Sequence, residues 1–195
     1  MLKHIFQNIF IVFIAIFLVG FGVFQSEDEE MIIWTSANRK LEFSDFKMNP
    51  PEISDSLAVS TCGIKYNYFK YDDYFEVQVI AVFYPKKSWI RVKEDKVLKH
   101  EQGHFDICEM TARRIRKDFI YYNHKVSKES VDDFVELIMY NRKQEHNENQ
   151  KIYETSRESI ELQEYLSKMI DDELEKLSDF KSKTVKVYYL NNKKR

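Results

Sequence analysis

The chain is 195 residues long, with 30 Lys plus Arg against 32 Asp plus Glu and a formal net charge of −2. That balance excludes a nucleic-acid binder working by bulk basic charge, and 44% hydrophobic residues exclude wholesale disorder. Only 4 Gly, 3 Pro and 2 Cys exclude collagen-like, low-complexity and disulfide-scaffold classes.

Lys3 and His4 precede an unbroken apolar run, Ile9 to Phe24. The run is shorter than the about 20 residues that span a bilayer and close to the about 7–15 of a signal-peptide core. Gly20 and Gly22 have the spacing of a signal peptidase site, which predicts cleavage after Gly22. Residues 1–22 are thus expected to be a signal peptide, or an uncleaved anchor over residues 5–24. Either way the chain is exported, to the periplasm or beyond. Residues 23–30, rich in Glu and Asp, read as a solvated acidic linker.

Residues 31–178 read as one domain. Ile32, Ile33 and Trp34 suit a short buried strand; Leu41, Phe43 and Phe46 suit packing around a Ser44-Asp45 turn. From 57 to 84 the pattern has period two. Cys62, Ile64, Tyr66 and Tyr68 share one face; Phe75, Val77, Val79, Ala81 and Phe83 share another; Tyr71-Asp72-Asp73 lies between. This predicts a β-hairpin. Pro85 ends it. From about Asp95 the period becomes 3.6: Val97, Leu98, Phe105, Ile107, Met110, Ile115 and Phe119 suit a long helix. A second helix is expected over about 128–153, on Val131, Phe134, Val135, Ile138 and Met139. Thr155 and Glu158 match a capping box and predict a third helix starting there. Its expected core face is Leu162, Tyr165, Leu166, Met169, Ile170, Leu174 and Leu177. Residues 179–195 form a basic C-terminal tail, in which Thr184 to Leu190 alternate as an edge strand or a frayed end.

One motif carries chemistry. His100-Glu101-Gln102-Gly103-His104 lies inside the long predicted helix. At about 100° per residue, the two histidines differ by about 40° around the axis. Both imidazoles then project from one face, the spacing of two ligands of a tetrahedral zinc. Glu101, about 60° from His104, is placed to take a proton from a water rather than to ligate. Gly103, costing about 1 kcal/mol against Ala in a helix, marks a close approach of something else. A catalytic zinc needs three protein ligands. Glu109 and Asp106 are about 140° and 160° from His104, so the third must come from a later helix.

The chain resembles the bacterial domain of unknown function family number 922, described as predicted secreted zinc-dependent proteases. The resemblance is carried by Trp34-Thr35, Arg39-Lys40-Leu41, Asp45-Phe46, Ser60-Thr61-Cys62-Gly63-Ile64, Phe83-Tyr84-Pro85, Lys87-Ser88-Trp89, Leu98 to Ile107 and Ala112-Arg113; it weakens past about Ser127. It implies that His100 and His104 hold Zn2+ and that Glu101 is the catalytic base. Relatives carry Glu-Thr-x-His where this chain has Glu154-Thr155-Ser156-Arg157, so an arginine replaces the histidine. If that histidine is the family's ligand, this site is impaired or uses Glu158; if the glutamate is, Glu154 is intact, and Glu154 is the third ligand expected here. By resemblance to zincins, residues 74–84 would form the cleft edge on which an extended peptide adds.

The expectation is therefore an α+β, zincin-like domain: a small antiparallel sheet, hairpin 57–84, against a long motif helix and two C-terminal helices. Its expected activity is zinc-dependent hydrolysis of protein or peptide substrates, with no nucleic acid as partner. The alternative is a non-catalytic exported binding or envelope module with a structural or lost metal site. Cys108 reads first as buried packing; the alternatives are that Cys62 and Cys108 pair in an oxidising compartment, or that Cys108 approaches the metal, one turn past His104. His124 and His146 read as solvated, with His146 an outside ligand candidate. Tyr66, Tyr68, Tyr71 and Tyr74 cluster at the hairpin, and Ser88 has no evident triad.

Overall fold

The computed structural model describes residues 30–35, 40–122 and 126–190. The expected signal segment, most of the acidic linker, Arg39, His124 and the basic residues after Leu190 lie outside them. Among the described residues, no helix is long and apolar enough to cross a membrane.

Among the described residues the fold is α+β, a small antiparallel sheet with three helices. The strands are β1 (Ile32–Ile33), β2 (Ala58–Val59), β3 (Cys62–Lys70), β4 (Tyr74–Phe83), β5 (Trp89–Ile90) and β6 (Thr184–Tyr188). The helices are α1 (Asp95–Tyr121), α2 (Val131–Glu154) and α3 (Ile160–Lys176). The predicted hairpin is β3 and β4, paired from Cys62↔Phe83 to Lys70↔Phe75. The other side of β4 carries β1 at one end, Ile32↔Phe83, and β6 at the other, Tyr74↔Tyr188 to Gln78↔Thr184. β2 and β5 form a separate two-stranded ribbon, Ala58↔Ile90.

One expectation about strands is corrected here, and one open alternative is decided. β4 is the central strand, covered along both edges, so residues 74–84 offer no cleft edge; the outer strands among the described residues are β3 on one side and β1 and β6 on the other. In the segment after 178, Thr184–Tyr188 takes the edge-strand alternative rather than the frayed one. Val185 and Val187 point into the core, Tyr189 is buried, and Leu190 N–H donates to Val126 O. Alternation buries one valine face, and β4 supplies the ladder partner that an isolated strand lacks.

The core explains why α1 tolerates so few exposed positions. The inward face of β4, Phe75, Val77, Val79, Ala81 and Phe83, packs on Phe105, Cys108, Ala112, Ile115 and Phe119 of α1. Val131, Val135 and Ile138 of α2 close that cluster. On the other side of α1, Ile107 and Met110 meet Tyr153 and the α3 residues Ile170 and Leu174. The predicted α3 stripe is half right: Leu162, Tyr165 and Met169 are exposed. α3 packs chiefly on α1, and a single neighbour covers only part of a broad stripe. Its cap also differs. Thr155–Glu158 is a 3₁₀ turn, and the helix starts after Ser159, whose hydroxyl accepts from Leu162 N–H at 3.2 Å.

α1 also carries a buried charge network. Arg116, fully buried, donates to Val79 O at 3.1 Å and to Phe180 O at 2.7 Å. Val79 lies in the gap between β1 and β6, where ladder partners lapse. Glu109 accepts from both Arg113 and Arg116, so the carboxylate the angular argument excluded as a ligand is spent on these cations. Buried charges persist only when paired in this way.

Candidate metal centre

The motif occupies the second and third turns of α1, and its intervening residue Gln102 anchors the helix. The Gln102 Oε1 accepts from Leu41 N–H at 2.7 Å, and its Nε2 donates to Asp106 Oδ1 at 2.8 Å. The same Asp106 oxygen accepts from Trp34 Nε1 at 2.7 Å. The N-terminal segment is thereby tied to the helix that presents the histidines.

On the opposite face the ligand atoms converge. His100 Nε2 and His104 Nε2 are 3.2 Å apart; Glu154 Oε2 is 3.4 Å from the first and 3.1 Å from the second. Three ligands at about 2.0–2.1 Å from a tetrahedral centre stand about 3.3 Å from one another. The donor triangle has that size, and these three residues form a group that could bind a metal ion. The 3₁₀ turn after α2 leaves Glu158 exposed and outside it, so the choice between the two carboxylates falls to Glu154.

His104 Nδ1 lies 2.6 Å from Gln150 Oε1; the amide oxygen can only accept, so Nδ1 donates to it and Nε2 is the nitrogen turned toward Glu154. Gln150 Nε2 donates back to His104 O at 3.0 Å. Burial, then the neighbouring His104, lowers the His100 pKa to about 4, so its ring is neutral at pH 7. Burial alone would raise the Glu154 carboxyl, but Arg157 and the two imidazoles outweigh it and hold it below the usual range. Glu154 divides its oxygens: Oε2 faces the histidines and Oε1 pairs with Arg157. Arg157 Nη1 also reaches Ser56 Oγ at 3.5 Å.

Tyr153 floors the site. Its ring stacks on His100 at 5.1 Å and meets His104 edge-on at 5.2 Å. This explains Gly103: a Cβ there would lie 2.1 Å from the Tyr153 hydroxyl. What approaches the helix at the glycine is a side chain of α2.

Glu101 stands beside the triangle without joining it. It is buried, its Oε2 has no partner, and burial raises its carboxyl against a hydrogen bond from Ser60. It lines a cavity of about 60 Å³ with Ala58, His100, Arg157 and Gln163. That is room for about two waters.

The remaining candidates are used elsewhere. Cys108 faces Cys62 and is not one of the three donors. His146 is part-buried, not solvated, and its Nδ1 sits 3.2 Å from Thr111 Oγ1, also outside the group. Tyr68 donates to Asp132, and Tyr71 stacks on Tyr74, so these hairpin tyrosines serve packing and the helix interface. Gln150, Tyr153 and Ser60 were not foreseen. The signal for Gln150 was available: it precedes Glu154 by four residues, as His100 precedes His104, and so shares its face. Replacing Gln150 by Ala should lower metal affinity about 10–100-fold with little loss of stability, checked by chelator competition.

Compared with known proteins, the chain matches no protein-family model, no curated protein and no solved structure.

Proposed function

We propose that the protein is an exported, zincin-like zinc metallopeptidase that hydrolyses peptide bonds, the reading its resemblance to domain family 922 implies. The observation that supports it best is the donor triangle of His100, His104 and Glu154 beside the unpartnered buried oxygen of Glu101. Zinc held by these three side chains would supply Lewis acidity and lower the pKa of a water to about 7. Glu101 takes the proton from the attacking water in the cavity and returns it to the leaving amine. Gln150 and Arg157 hold His104 and Glu154 in place. β3, unlike β4, has a free edge to offer an extended substrate. Export rests on Lys3 and the apolar run from Ile9 to Phe24.

A second reading has one observation in its favour. Arg157 satisfies Glu154 even without a metal, which suits a binding module with a structural or vacated site.

Metal analysis tests the first step. Purified protein should carry about one zinc per chain, and His104→Ala should lose it. At 100 times its dissociation constant zinc adds about 2.7 kcal/mol, raising the melting temperature by about 5–10 °C. Wild-type protein that purifies metal-free and whose melting is indifferent to zinc would sink the proposal.

A further inference from the structure

Directly behind the metal centre lie two thiols that the proposed chemistry does not use. Cys108 Sγ and Cys62 Sγ are 3.2 Å apart, across a separation of 46 residues. A disulfide needs about 2.05 Å, so closure asks for about 1 Å of combined movement by two side chains. Both ends are anchored. Cys62 opens β3 opposite Phe83, and Cys108 is fully buried in α1, against the β4 face. The pair also touches the site. Cys62 Sγ donates to His104 O at 3.5 Å, and Cys108 Sγ accepts from Gln150 Nε2 at 3.6 Å, the amide that also holds His104. Two residues before Cys62, Ser60 reaches Glu101 O.

We propose that Cys62 and Cys108 are a disulfide-forming pair that, on oxidation, staples the hairpin to the motif helix one turn behind His104. The inference does not rest on the peptidase reading; it needs only the two sulfurs and an oxidant. The oxidant is a low-molecular-weight or protein disulfide. Cys62 is the entry sulfur: it is half-buried and lines a groove of about 630 Å³ between β3 and α2, whereas Cys108 has no exposure. The Cys62 thiolate attacks one sulfur of the external disulfide, forming a mixed disulfide and releasing one thiol. Cys108 then loses its proton and attacks Cys62 Sγ, expelling the second thiol. The protein loses two protons and two electrons, which reduce the external disulfide to two thiols.

The test uses the full chain, reduced and then exposed to oxidised glutathione, with and without chelator. Wild type should lose two hydrogens in mass, carry no glutathione and yield one linked peptide containing Cys62 and Cys108. Its melting temperature should rise by about 5–10 °C, because the bridge closes a long loop, and reductant should reverse both changes. Cys108→Ser should trap glutathione on Cys62, and Cys62→Ser should leave Cys108 unreacted. Wild type that keeps both thiols, that accumulates the adduct on Cys62 without the link, or whose melting falls on oxidation would overturn the proposal.

Discussion

Replacing Glu101 by Gln is expected to reduce peptide turnover by about 10²–10⁴-fold, the usual worth of a general acid–base. Metal content and melting temperature should scarcely change. Glutamine keeps the volume, and the group it replaces leaves one carboxylate oxygen buried and unpartnered, so the fold loses little. The neutral amide even removes the cost that raises the Glu101 carboxyl, its burial. What is lost is a basic oxygen facing the cavity beside His100 and Arg157. In a binding module Glu101 moves no proton, so the same change would have no turnover to reduce. A casein-type substrate and a mixed peptide panel suit the assay, with metal content measured on the same samples. Wild-type activity that survives Glu101→Gln undiminished would refute the zincin mechanism whatever metal is bound.

Gly103→Ala should behave opposite to helix propensity. On propensity alone, alanine would stabilise α1 by about 1 kcal/mol. Here its Cβ would stand 2.1, 2.2 and 2.6 Å from the Oη, Cζ and Cε1 of Tyr153. Tyr153 has little room to withdraw: it is 2% exposed, stacked on His100, with its hydroxyl 3.3 Å from Ser167 Oγ. Overpacking of this kind costs about 1–3 kcal/mol, so a net loss is expected, with a melting temperature lower by several degrees. Metal affinity should fall with it, because displacing Tyr153 removes the ring against which His100 is set. Combining Gly103→Ala with Tyr153→Ala should give less than the sum of the single effects, as expected for two groups in direct conflict. A Gly103→Ala protein that melts higher than wild type and retains its metal would show that Tyr153 does not need the gap.

What the amino-acid order determined by itself was whatever depends on neighbours a few residues apart. The shared face of His100 and His104 follows from helical pitch, and the β3–β4 hairpin from period-two alternation around Tyr71-Asp72-Asp73. The exclusion of Glu109 and Asp106 as ligands came from the same angular argument, and both carboxylates are bonded elsewhere, to Arg113 with Arg116 and to Trp34 with Gln102. Gly103 was legible as an anomaly of helix propensity, though not what it makes room for. Only the tertiary structure decided which distant side chains arrive at that face. Glu154, Gln150 and Tyr153 reach the histidines because α2 packs along α1 beside the β4 face, a juxtaposition set by burial of Val131, Val135 and Ile138 rather than by local pattern. Packing likewise turned the stretch after 178 into β6, left Leu162, Tyr165 and Met169 outside, and moved the α3 cap from Thr155 to Ser159. Periodicity states that an element has an apolar side, but not how much of it another element will cover. That depends on long-range burial of apolar surface, which is non-directional and so leaves no spacing to be read.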